Sequence, residues 1–166
     1  MNLGEILYLT SVDLSSATNT SYVTLVVESR HLKHGLIDLR RPSMSAVPGV
    51  KLLLEGDLIL GGRDGCFETA IVPKWLELEI SAGPTVIALR LKDYPAELLA
   101  QYLNQRALPV GIYTKAGWNV PLLKTFRVPP RDTKFSPTFY DDLATRTVET
   151  HPSYELCLHP DTFPAS

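Results

Sequence analysis

The sequence predicts one α+β domain, mainly β: an antiparallel sandwich or barrel-like sheet with one main amphipathic helix and an extended C-terminal arm. Three observations predict it. Short apolar runs of strand character recur between turn signals about every eight to twelve residues. A single stretch, residues 93–106, carries apolar residues at helical spacing. From Arg127 onward the chain holds six of its thirteen prolines, and no long element survives such interruption. The chain therefore divides into a β-rich globular body, residues 1–126, and a Pro-rich extended arm, residues 127–166.

In chain order, the first strand candidates are "SYVTLVVES", "GLIDL" and "VKLLLEG". "DLILGGRDGCFE" reads as strand, turn and strand, because Gly61, Gly62 and Gly65 can supply positive φ and Asp64 favours a turn. "CFETAIV" sets Phe67, Thr69 and Ile71 opposite Cys66, Glu68 and Ala70. Pro73 marks a strand end, bulge or corner. "WLELEIS" has the strongest alternation, with Leu76, Leu78 and Ile80 against Glu77 and Glu79. "TVIALRL", "LPVGIYT" and "VPLLKTF" complete the strand candidates.

The helix candidate, "DYPAELLAQYLNQR", has Asp93 or Tyr94 to cap it and Pro95 in its first turn, where the missing N–H costs nothing. Leu98 with Tyr102, and Leu99 with Leu103, form one apolar stripe. Glu97 and Arg106 suit its two ends.

Composition narrows the function. Sixteen basic residues face 18 acidic ones, a net charge of −2, which argues against coating nucleic acid. The arm carries four basic and six acidic residues, so the body is neutral. Cys66 and Cys157 are too few and too distant for a disulfide framework and read as free thiols. The N-terminal stretch "MNLGEILYLTSVDLSS" has no basic segment and no long apolar run, and no stretch approaches a membrane span. The expected location is cytoplasmic or virion-associated, not secreted. The "NTS" at Asn19 then stays idle as a glycosylation acceptor.

No motif predicts a catalytic residue, a cofactor or a metal. His31 and His34 lie three apart, with Glu28 and Asp38 as the only nearby further ligands, so two partly exposed histidines are expected. Glu55 and Asp57 read as a solvent-facing pair beside a turn. "GGRDG" lacks the strand–helix context of a phosphate loop. Arg30, Lys33, Arg40 and Arg41 form one local excess of positive charge. Such a patch can make weak contact with an anionic membrane, at about 1 kcal/mol per cation.

The arm carries the strongest functional hint. Phe135, Phe139, Tyr140, Leu143, Tyr154 and Leu156 are its partner-binding candidates, with Val148, Leu158 and Phe163 as further anchors. Each buried aromatic or Leu side chain contributes about 1.5–3 kcal/mol, against about 1–2 kcal/mol per residue for ordering backbone. An arm with such anchors docks on its own body or on a neighbouring subunit. It also holds "YDDL", a Y-x-x-L pattern at Tyr140, and a Ser136-Pro137 step.

The stretch "TVIALRLKDYPAELLAQYLNQRALPVGIY", a hydrophobic strand, an amphipathic helix and another strand, resembles the small matrix proteins of negative-strand RNA viruses, the bornavirus type in particular. The resemblance implies self-assembly beneath a lipid envelope, with the patch from Arg30 to Arg41 facing lipid. The chain departs from that pattern in being slightly acidic. The function expected is thus a non-catalytic structural subunit of matrix, coat or cement type, a homo-oligomer joined to other protein subunits. Two alternatives stand beside it: a small hydrolase or lyase on a β scaffold, and a regulatory adaptor that binds partners through arm motifs.

Overall fold

The structure, a computed structural model, describes residues 1–12, 21–33, 36–38, 43–48, 53–73, 80–104 and 106–134. The elements run α1 (Leu3–Ile6), β1 (Leu7–Thr10), β2 (Ser21–Val27), a 3-10 turn (Ser29–His31), β3 (Leu32–Lys33), β4 (Leu36–Ile37), β5 (Ser43–Pro48), β6 (Leu58–Arg63) and β7 (Cys66–Ile71). After these come β8 (Ile80–Ala82), β9 (Ile87–Leu91), α2 (Ala96–Leu103), β10 (Tyr113–Thr114), β11 (Gly117–Trp118) and α3 (Val120–Lys124). The fold is mixed α+β, mostly strands.

The centre is a four-stranded antiparallel sheet in the order β1-β9-β6-β7. Its inner part, β6 and the stretches of β7 and β9 beside it, is buried on both faces, while Tyr8 of β1 is exposed. Leu58 and Leu60 of β6, Phe67 of β7, and Ile87 and Leu89 of β9 point to one side. There they meet Leu3 and Ile6 of α1, Leu98, Leu99 and Leu103 of α2, and Leu123 of α3. Ile59, Ala70 and Ala88 point to the other side, against Leu25 and Val27 of β2, Leu32, Ile37 and Ile80. On that side a three-stranded sheet runs in the order β5-β2-β8, with β2 antiparallel to β5 and parallel to β8.

Double burial explains why β6 reads as an unbroken apolar run rather than an alternating one. Glu68 of β7 is 3% exposed and pairs in register with Gly61. Thr69 is fully buried on the helical side, with its hydroxyl 3.5 Å from the Ala100 carbonyl of α2. β7 is half-buried only at its ends, Cys66 and Ile71.

The helix of residues 93–106 is shorter than its sequence pattern. Asp93 takes φ +50°, in the left-handed region, so it cannot lie in a helix. Pro95 becomes the N-cap. "VPLLKTF" is helical at its start, not a strand: the Asn119 side chain accepts from the Leu122 N–H at 3.1 Å, and Pro121 fits the first turn. "LPVGIYT" gives only the two residues of β10. The described part of "VKLLLEG" forms a turn through Gly56, at φ +87°. Most of "WLELEIS" lies outside the described residues, and β8 begins at Ile80.

Past residue 126 the chain still packs on the body. Arg127 bridges to Asn2, the Val128 N–H donates to the Met1 carbonyl at 3.0 Å, and Val128 is buried in the helical-side core. The Tyr94 hydroxyl donates to the Pro129 carbonyl at 2.7 Å. Residues 135–166 lie outside the described part.

Two polar contacts lock these layers and generate predictions. Asp57, buried, takes two hydrogen bonds of 2.9 Å from the guanidinium of Arg90 and one of 2.8 Å from the Leu54 N–H. The hydrogen bond to Asp57 holds the Arg90 pKa above its ordinary value. Arg90 is a quarter exposed, so solvent screens part of the attraction. Asp57→Ala leaves Arg90 and the Leu54 N–H without their acceptor. Urea unfolding should show a loss of about 2–3 kcal/mol, and Asp57→Asn a smaller one. A loss under about 0.5 kcal/mol would place the pair among contacts of no structural weight.

Burial pushes the Tyr94 pKa up to about 12 from the ordinary 10, with a smaller contribution from Tyr102. The fold therefore favours the neutral phenol. That contribution is whole below pH 10 and is lost as pH rises from 10 to about 12. The urea midpoint should fall more steeply across that window in the wild type than in Tyr94→Phe. Equal slopes would show that this phenol does not feel the fold.

Candidate functional site

A groove of about 320 Å³ lies where the tip of the β6–β7 hairpin meets the 3-10 turn and the β10–β11 hairpin. Ser29, Gly62, Arg63, Asp64, Gly65 and Thr85 line it, together with Leu108, Tyr113 and Trp118, and its lining is mostly apolar. The volume is at the small end of the range for small-molecule sites, about 300–1,000 Å³.

Its floor depends on two glycines. Gly61 and Gly62 sit inside β6, where a missing side chain lets another segment approach. A Cβ on Gly61 would stand 2.6 Å from Ser29 Oγ and 2.9 Å from Leu32 Cδ1, and one on Gly62 would stand 2.9 Å from Leu108 Cδ1. The use made of them is thus close approach, not positive φ. The turn itself needs positive φ at Asp64 (+53°) and Gly65 (+78°), the signature of a two-residue hairpin turn.

β9 pairs with β6 only from Leu58 to Leu60. Beyond it Ser29 takes over: its hydroxyl donates to the Gly62 carbonyl at 2.8 Å and accepts from the Gly62 N–H at 3.0 Å. The Ser29 N–H donates to Thr85 Oγ1 at 2.8 Å. The Thr85 hydroxyl and N–H both donate to the Glu28 carboxylate, and the Thr85 carbonyl accepts from Trp118 Nε1 at 3.1 Å. One chain of hydrogen bonds therefore joins the 3-10 turn, β6, the β8–β9 turn and β11.

The walls are aromatic. Tyr113 and Trp118 pair across the β10–β11 hairpin at 5.4 Å between ring centroids. Trp118 stacks on the buried Phe67 at 6.3 Å, and Phe67 meets Phe126 edge-on at 5.7 Å. Arg63 brings the cation. Its Nη2 donates to the Leu32 carbonyl at 2.7 Å, and no carboxylate among the described residues pairs with it. The hydroxyl of Ser29 and the carboxylate of Glu28 already hold backbone and Thr85. Asp64 sets a carboxylate in the same lining, so the arrangement is an apolar and aromatic groove with one cation and one anion at the hairpin tip.

The residues singled out from sequence are placed unevenly. Arg30 is exposed on the 3-10 turn and Lys33 lies in β3, while Arg40 and Arg41 lie outside the described residues. Phe135, Phe139, Tyr140, Leu143, Tyr154 and Leu156 also lie outside them, as do His34, Cys157 and Asn19. His31 is 2% exposed, not partly exposed, and its Nδ1 accepts from the Glu28 N–H at 2.9 Å. Glu55 and Asp57 are not a solvent-facing pair: Glu55 is exposed in the turn, and Asp57 is buried on Arg90. Sequence reasoning missed Ser29, Arg63, Thr85, Leu108, Tyr113 and Trp118. The signal available was the Gly-Gly step inside a strand, where glycine can mark the close approach of another segment.

The Ser29 junction is testable. Ser29→Ala removes both partners of Gly62 and should cost about 1–3 kcal/mol in urea unfolding. Gly61→Ala pushes a methyl into the same hydroxyl and should cost a similar amount. If both variants unfold like the wild type, the hairpin tip is not held as described. No protein-family model matches the chain, and no curated protein matches its sequence.

Proposed function

We propose that the protein is a non-catalytic structural subunit, of matrix, coat or cement type, that self-associates through its C-terminal arm. One observation carries the reading: the root of the arm is built into the body. Val128 is buried, and the Pro129 carbonyl is held by Tyr94. An arm fixed at its root presents its outer residues from a defined point, which reduces the entropy lost on docking. Those outer residues are rich in anchors, from Phe135 to Phe163, and distinct in charge. Residues 135–166 hold one basic and five acidic residues, against fifteen basic and thirteen acidic in residues 1–134. The body, residues 1–126, is neutral, so the positive charge set against the acidic outer residues lies in the arm's own root, residues 127–134, with three basic residues and one acidic.

In this reading the two main sheets stack as a sandwich, supported by the shared core of β2, β6, β7, β8 and β9. The likeness to bornavirus-type matrix proteins belongs to the same proposal, with Arg30, Lys33, Arg40 and Arg41 as its lipid-facing surface.

Light scattering coupled to sizing should give a mass well above 18.4 kDa. Truncation after residue 134 keeps Val128 and Pro129 in place and should shift the particle to monomer. A monomeric full-length chain overturns the proposal, and so does an oligomer indifferent to the truncation.

A further inference from the structure

Self-association through the arm requires a place for the arm to land, and an inference about that place rests on the self-association reading. We propose that the groove at the hairpin tip receives residues 139–143, Phe-Tyr-Asp-Asp-Leu, of a second copy of the chain.

The chemistry of the two parts is complementary. The groove offers Trp118, Tyr113 and Leu108 as apolar walls and Arg63 as a guanidinium with no carboxylate partner among the described residues, and Asp64 is the one carboxylate in the lining. Within residues 135–166, only positions 139–143 set two aromatic rings directly beside two carboxylates. In an extended strand, alternate side chains share a side, about 6.6–7 Å apart. Tyr140 and Asp142 then face the groove together, the ring against Trp118 and the carboxylate toward Arg63. Arg63 suits this role because its Leu32 contact fixes the guanidinium and leaves its other N–H groups to a ligand.

The direction of the chain favours a second copy. Leu89 of β9 pairs with Leu58 at the start of β6, and β9 runs on from there toward Tyr94. The groove lies at the other end of β6, beyond Gly62. Leu58 and Asp64 are six residues apart along an extended hairpin, roughly 20 Å. The arm is anchored at Tyr94, so it leaves from the end of the sheet away from the groove. An arm extending outward reaches a neighbour, whereas its own groove requires it to fold back along the molecule.

The test places p-benzoylphenylalanine at position 140 of the full-length chain, mixes it with nitrogen-15-labelled wild-type copies and irradiates the mixture. The expected result is crosslinks between isotopically distinct copies that map to residues 62–65 and 113–118. In parallel, Arg63→Glu should weaken association about tenfold, and the paired change Asp141→Arg with Asp142→Arg should do the same. Mixing those two variants should restore it, an outcome that simple misfolding cannot give. Tyr113→Ser, at a wall residue that is 44% exposed, supplies a second weakening variant with little risk to folding. Crosslinks confined to one copy overturn the inference. So do oligomers whose crosslinks map elsewhere, though self-association then stands. A monomer at all concentrations removes both.

Discussion

The inner strands of the central sheet, β6 with the parts of β7 and β9 beside it, have no solvent face, and most of the molecule depends on that. A strand buried on both sides loses the alternation that normally separates core from surface, so each polar side chain on it needs a partner inside. Thr69 turns its hydroxyl to the α2 backbone, and Asp57, at the entrance to β6, takes Arg90 from the neighbouring strand. Ser11 continues β1 in the same manner, donating its N–H to the Ala88 carbonyl and accepting the Ala88 N–H on its hydroxyl. The apolar residues supply the driving force. Leu58, Leu60, Ile87 and Leu89 are fully buried, each contributing about 1.5–3 kcal/mol. The polar contacts fix which strand lies beside which.

The same constraint produces the groove. Covering both faces of β6 brings the 3-10 turn against one side of its far end and Leu108 against the other, and a side chain at Gly61 or Gly62 would meet them. The glycines admit these segments, and β6 then has no β9 residue opposite Gly62. Ser29 takes that place in the ladder and is itself held through Thr85 to Glu28 and Trp118. The groove is therefore lined by residues whose positions are fixed by the fold's own hydrogen bonds. Such preorganisation lets a modest surface bind with specificity.

How far each element could be read from the sequence tracks its length and regularity. β2, β6, β7 and β9 are long enough for strand patterns, and the Asp-Gly turn is explicit in Asp64 and Gly65. α2 shows its stripe through Leu98, Leu99 and Leu103. α3 spans five residues, too few for a helical period, so its apolar content reads as a strand unless the Asn119 cap is weighed first. β5, with two serines and a proline, has little strand composition and depends on β2 for pairing. The groove was illegible for a different reason. It assembles Ser29, Gly62, Thr85 and Trp118 from four separate segments, and no local pattern records that they meet.

An arm rooted at one end of a sheet and a groove at the other have a consequence for symmetry. If each copy gives its arm and receives another, two copies can exchange arms about a two-fold axis, and any other rotation passes the arms head-to-tail. Reciprocal exchange closes as a dimer, whereas head-to-tail contacts close into rings when the rotation permits and otherwise continue as open chains. The rigid root at Val128 and Tyr94 limits the rotations available, because only the backbone beyond Pro129 can adjust. The run from Pro130 to the docking residues contains Pro137, and prolines narrow its conformations further. The geometry of such an assembly would thus be set by how few angles that linker can adopt.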